Sequence, residues 1–166
     1  MSESDGAIKV VTIGRKFWSH PQKLGIWAAE LLWLDDEGPR FDQLKDQDSS
    51  ADNVALEVEA ALAGLSRAQE LGRPIEIHCV NESVVKTMSE YLPKWKQDGW
   101  KRKAGPIASL KQWQEIDRIC QSHSVEWIKR GKEEIDLIDD YEKLWDALRE
   151  RENEYAMQRA IARDPY

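Results

Sequence analysis

The sequence predicts an α/β fold in which a mixed five-stranded sheet, three antiparallel strands followed by two helix-connected strands, is flanked by helices. Three observations predict it. The first part of the chain holds β-branched and apolar runs of strand length separated by turn residues, as hairpins require. At Asn53 the apolar period changes to that of a helix. Two later β-rich runs, at Ile75–Val80 and Ser124–Arg130, each follow a helical pattern, so they join the sheet by crossovers rather than hairpins.

In chain order, IKVVTI from Ile8 to Ile13 suits a strand covered on both faces, and Gly14 is expected to end it. RKFWSHPQKL reads as a connection containing Pro21, and GIWAAELLWL from Gly25 to Leu34 as the second strand. The acids and Gly-Pro of DDEGPR match turn chemistry, so Phe41 to Lys45 returns as a third strand at an edge. Val54, Val58, Ala61, Leu62 and Leu65 then fall at helical spacing, ending at LGRP. After the strand at Ile75–Val80, Asn81 or Ser83 is placed to cap a helix through VVKTMSEYL. Pro93 opens a short helix that Gly99 closes, and Lys101 to Pro106 forms a loop. Ile107, Leu110, Trp113, Ile116 and Ile119 outline a further helix face before the last strand. A final helix is predicted from Ile135, with Ile138, Tyr141, Leu144, Trp145 and Leu148 as its apolar set.

At 166 residues, with 41% hydrophobic residues including eight Trp, the chain is expected to form one domain with a real core. The expected limits are a disordered tail over 1–7, a domain over 8–149 and a helical extension over 150–166, with Tyr155, Met157 and Ile161 as a weak apolar stripe. No apolar run approaches a membrane span, and MSESDGAIKV lacks the layout of a secretory signal, so a cytoplasmic protein without a membrane partner is expected. Cys79 and Cys120 form no CxxC and read as buried free thiols.

Charge is segregated. Between Lys94 and Lys111, six cations (Lys94, Lys96, Lys101, Arg102, Lys103 and Lys111) stand against Asp98 alone, a net +5 within a chain of formal charge -7. Large rings at Tyr91, Trp95, Trp100 and Trp113 are interleaved with them, a combination suited to a polyanion carrying bases or sugars. The acidic remainder opposes general nucleic-acid affinity.

The element order and these residues resemble ribonuclease H of type 1, from Ile8 to about Arg149. In that family a strand ending in an aspartate leads to a helix, then a short helix of pattern W-K-x-x-G-W-K, a basic loop, a helix with L-W-x-x-(I/L)-D and a V-x-W-(V/I)-K strand. This chain has WKQDGWK at Trp95 to Lys101, QWQEID at Gln112 to Asp117, and the strand at Val125 to Lys129. The resemblance implies the ribonuclease H-like fold, with this segment as a basic handle for an RNA–DNA hybrid. Trp95, Lys96, Trp100, Lys101, Arg102 and Lys103 become its nucleic-acid-binding residues, together with Asn53, which takes the position of an upstream nucleic-acid-contacting asparagine.

The family's chemistry needs four carboxylates holding two Mg ions about 4 Å apart. The first stands in a T-D-G pattern, which here reads Thr12-Ile13-Gly14, so Ile13 occupies the bridging position. The second is matched by Glu57, though a one-residue shift puts Leu56 there. The third belongs to T-D-S, which here reads Cys79-Val80-Asn81, and Glu82 lies too late to replace it. The fourth falls on Glu142, with Asp139 and Asp140 as alternatives, and GKEEID lacks the histidine of the family's mobile loop. Magnesium requires oxygen ligands, which Ile13 and Val80 cannot supply. Glu57 and Glu142 alone would give a weak or residual metal site.

The expectation is therefore a ribonuclease H-like pseudoenzyme with no intact catalytic residue and no cofactor, binding a hybrid or duplex through its handle or binding a protein. The alternative is a divergent, Mg-dependent ribonuclease H that cleaves RNA in RNA–DNA hybrids. The plainer readings stay open: Trp113 and Tyr91 as core rings beneath solvated lysines, Glu57 as a solvated or capped acid, and the acids from Glu133 to Asp140 as favourable charge at a helix N-terminus. His20, His78 and His123 lie on separate elements and are not expected to act in catalysis.

Overall fold

The computed structural model describes residues 6–17, 24–48, 50–131, 149–154 and 156–161. Five strands form one sheet: β1 (Ile8–Phe17), β2 (Leu24–Asp35), β3 (Gly38–Gln47), β4 (Ile75–Cys79) and β5 (Val125–Lys129), in the order β3-β2-β1-β4-β5. The first three pair antiparallel, whereas β4 lies parallel to both β1 and β5. The mixed sheet, and β3 at its edge, are as the sequence predicts.

Helix α1 (Asn53–Ala68) crosses the central strands and is buried along Val58, Ala61 and Leu65. Asp52 starts it by accepting the Ala55 amide at 2.8 Å, which satisfies an end donor with no partner inside the helix. A 3₁₀ turn at Gln69–Leu71 and the left-handed Gly72 stop it. Between β4 and β5 come α2 (Glu82–Lys86), a π-helical turn at Thr87–Tyr91, α3 (Leu92–Gln97) and α4 (Leu110–Ser122). Trp113, Ile116 and Ile119 of α4 join Val10, Leu31, Val58, Leu65 and Ile77 in one core.

Two expectations change. Gly14 does not end β1, which continues to Phe17 opposite Gly25 and Leu24. The glycine is there because a Cβ would lie 2.6 Å from the Glu57 backbone nitrogen, so its role is close approach of α1 rather than strand termination. The third strand is also longer than Phe41 to Lys45, because Asp35 pairs with Gly38 across a tight turn. The final helix expected from Ile135 to Leu148 lies outside the described residues; 149–154 and 156–161 are helical. Among the described residues no helix is long and apolar enough to cross a membrane.

Candidate functional site

β1 and β4 run side by side with Thr12 level with Cys79. One residue further along each chain stand Ile13 and Val80, so these two positions meet at the same end of the sheet. Gly14 lets the first turns of α1 press onto β1 and brings Glu57 against Thr12 and the Val80 amide. The Val80 amide donates to Glu57 Oε1 at 3.2 Å, and the Thr12 hydroxyl donates to the same oxygen at 3.3 Å. Thr12 also lies 3.3 Å from Cys79 Sγ, but its single proton is best used on the carboxyl.

The Glu57 side chain is 1% exposed, so it is not the solvated first-turn acid of the plainer reading. Burial pushes its pKa up to about 7, against the opposing hydrogen bonds from the Val80 and Asn81 amides and Thr12. Desolvation likewise pushes the Cys79 thiol up, so it stays neutral. Ile13 is 3% exposed, and Val80 is half-buried.

Glu142, Asp139 and Asp140 lie outside the described residues. Glu82 is exposed, 3.5 Å from Lys129 Nζ, and does not turn toward Glu57. Asp35 pairs with Arg40 at the hairpin, the opposite end of β2 from Ala28, the partner of Ile13. Among the described residues, no group of three His, Cys, Asp or Glu side chains is placed to hold a metal ion. At this end they supply one carboxyl, whose Oε1 already has two donors, beside two hydrocarbon side chains. That set does not fit a pair of divalent cations.

The handle starts where this site stops. Asn81 caps α2 by accepting the Ser83 amide at 2.9 Å, so the helix leaves the sheet within two residues of Val80. Pro93 has no N–H to give the preceding turn, and the ladder widens there, with the Leu92 amide reaching back to the Thr87 carbonyl. Thr87 and Leu92 are buried while Tyr91 turns outward, 43% exposed and stacked on Trp95 at 6.2 Å. This corrects the expectation that Tyr91 is a core ring. Trp113, at 3% exposure, is one.

Trp95 and Trp100 are half-buried against the core. Trp100 follows Gly99 in the left-handed region, at φ 63°, with its amide donating to the Trp95 carbonyl at 2.6 Å. Lys96 pairs with Asp117 at 3.2 Å. Arg102 folds back on its own loop, donating to the Gly105 and Pro106 carbonyls at 3.0 and 2.9 Å. Lys94, Lys101, Lys103 and Lys111 are exposed. Asn53 is engaged internally: its Oδ1 accepts the Lys16 amide at 2.7 Å, fastening α1 to β1.

Sequence reasoning missed the polar support beside this end. His78 is buried and its Nδ1 accepts from Arg130 Nε at 2.8 Å, which fixes the ring as an acceptor there. His78 beside Cys79 was visible in the sequence, but nothing in the sequence paired it with Arg130.

No protein-family model matches the chain. It is 30% identical over 125 residues to a ribonuclease H of Cupriavidus pinatubonensis, covering 75% of this chain and 76% of that protein. A ribonuclease H of Pseudomonas savastanoi pv. phaseolicola is 32% identical over 106 residues, covering 62% of this chain and 66% of that protein. One of Methylorubrum extorquens matches over 75 residues at 32% identity, and there the match spans only 32% of the relative's length. Among solved structures, the fold is similar to LC9-RNase H1, a type 1 RNase H with the type 2 active-site motif, at TM-score 0.67 and 18% identity over 76% of this chain and 64% of that one. It is equally similar to a foamy viral protease-reverse transcriptase in complex with RNA/DNA hybrid, at TM-score 0.67 and 15% identity over 79% of this chain and 18% of that one.

Proposed function

The chain belongs to the ribonuclease H family, and from that premise we propose that it is a member without two-metal hydrolysis that binds nucleic acid, an RNA–DNA hybrid or related duplex, through its handle. The observation that carries this reading is the composition of the Glu57 site. At the neighbouring positions of β1 and after β4 stand Ile13 and Val80, which offer a divalent cation no side-chain oxygen. Glu57 is instead built into the fold as the acceptor that joins α1 to β1 and β4.

The binding half of the reading rests on the handle. Its exposed lysines and the Tyr91–Trp95 stack offer charge for phosphates and faces for bases or sugars. One solved structural neighbour is in complex with RNA/DNA hybrid. Trp100, Lys101, Arg102 and Lys103 carry the contact in this reading, while Lys96 must first leave Asp117 and Asn53 has only its amide nitrogen to offer.

A second reading, a divergent Mg-dependent ribonuclease H, draws on the relatives, which bear that activity's name. One assay separates the two: a labelled RNA–DNA hybrid incubated with the protein and Mg or Mn. The expected result is salt-dependent binding and an intact RNA strand. RNA cleavage that disappears in Glu57→Gln would establish the second reading.

A further inference from the structure

We propose that the outer edge of β3 is closed to strand addition by its own side chains, so that the sheet does not extend into a second copy of the chain. β3 ends the described sheet and runs for 10 residues, and Phe41 on it and Leu34 beside it are 53% and 56% exposed. A long edge strand with apolar side chains in water is a template for another strand, which would bond to its outward N–H and C=O groups.

In an antiparallel pair, alternate residues aim those groups away from the neighbouring strand. The tight turn closes with Asp35 opposite Gly38, so the odd-numbered residues from Pro39 to Gln47 face outward. At three of these positions an added strand finds no amide to bond. Pro39 has no N–H at all. The Gln43 amide donates to Asp42 Oδ1 at 2.9 Å, and the Gln47 amide donates to Asp46 Oδ1 at 2.8 Å. Each carboxylate oxygen thus stands where the carbonyl of an added strand would have to come, and the two oxygens repel. The Asp42 side chain is itself held in place, because Arg67 Nε of α1 donates to its other oxygen at 2.9 Å. A new ladder would be interrupted at its start, its middle and its end. Nucleic-acid binding plays no part in this closure, which holds whether or not the chain cleaves RNA.

The test is sedimentation of the full chain over a range of concentrations, for the wild type, for Asp42→Ala with Asp46→Ala, and for Asp42→Asn with Asp46→Asn. The Asn pair loses the charge but keeps an oxygen for the Gln43 and Gln47 amides, whereas the Ala pair loses both. The Ala pair is expected to roughly double its weight-average mass at concentrations where the other two proteins keep the mass of one chain. Hydrogen exchange locates the contact: the Gln43 and Gln47 amides of the Ala pair should gain protection as the mass rises. An Ala pair that is folded by circular dichroism and sediments as wild type would overturn the proposal. Association of the Asn pair would do so too, by assigning the closure to charge rather than to the occupied amides. Should the Ala pair not fold, the wild type decides: Gln43 and Gln47 amides that gain protection with rising concentration overturn the closure, and unchanged exchange supports it.

Discussion

The Glu57 end of the sheet and the handle are adjacent in the chain and opposite in construction. At the first, polar groups are turned inward and satisfied by one another, with Glu57 1% exposed between Thr12 and Val80. At the second, one ring and several cations are turned outward, with Tyr91 43% exposed beside lysines that face solvent. The difference teaches that the buried acid serves the packing of α1 on the sheet, while the aromatic and basic surface is presented to solvent. Residue type alone would have ranked them the other way, since a glutamate in a ribonuclease H-like pattern reads as a ligand and tryptophans read as core.

Substitutions that treat the two regions alike break this comparison, and those that separate them sharpen it. The largest effect is expected within the aromatic set. Trp113→Ala removes a buried ring from the core and should destabilise by about 3–5 kcal/mol, while Tyr91→Ala should cost less than about 1 kcal/mol. Urea unfolding of the two variants measures the gap, and equal losses would contradict the outward turn of Tyr91.

Next comes the pH response of Glu57. Its folded pKa of about 7 lies above the model-compound value of 4.5, so the folded state holds the proton more tightly than the unfolded chain. The resulting stability is fully present below pH 4.5 and is lost as pH rises through 7, a swing on the order of 3 kcal/mol. Glu57→Gln should flatten that dependence between mildly acidic and mildly alkaline unfolding curves. An unchanged slope in the variant would place the titration elsewhere.

Smaller still is Gly14→Ala, whose new Cβ meets backbone atoms of Leu56 and Glu57. A loss of about 1–3 kcal/mol is expected, since backbone yields less easily than a side-chain tip. A neutral result would mean that α1 can move away from β1 at no cost. The smallest change in stability belongs to the handle. Replacing Lys101, Arg102 and Lys103 together by Gln should leave the unfolding midpoint nearly unchanged, yet lower the salt slope of hybrid binding by about 2–3. A large stability loss there would make the handle a structural element after all.

Much of this architecture was legible in the sequence because local signals and the fold agree. The hairpins, the periodicity of α1, the Asn81 cap and the face of α4 each follow from spacing that short-range physics dictates. Where the reading failed, the deciding contact came from another element. Gly14 resembled a strand end because glycine is poor in strands, while its actual constraint is the backbone of α1. Tyr91 as a core ring beneath solvated lysines fails because the π-helical turn at Thr87–Tyr91 shifts the helix face, so Leu92 takes the buried position. At the site, the hydrocarbon side chains of Ile13 and Val80 were visible by position. The burial of Glu57 and its donors was not, because it depends on how closely α1 approaches the sheet.

The Arg102 fold-back carries a consequence for recognition. By bonding the Gly105 and Pro106 carbonyls, its guanidinium closes the basic loop on itself, so the spacing between Lys101 and Lys103 is set before a ligand arrives. In the proposed complex, little conformational entropy of this loop then remains to be surrendered on association. Arg102 thus acts as the loop's internal strut as well as one of its charges.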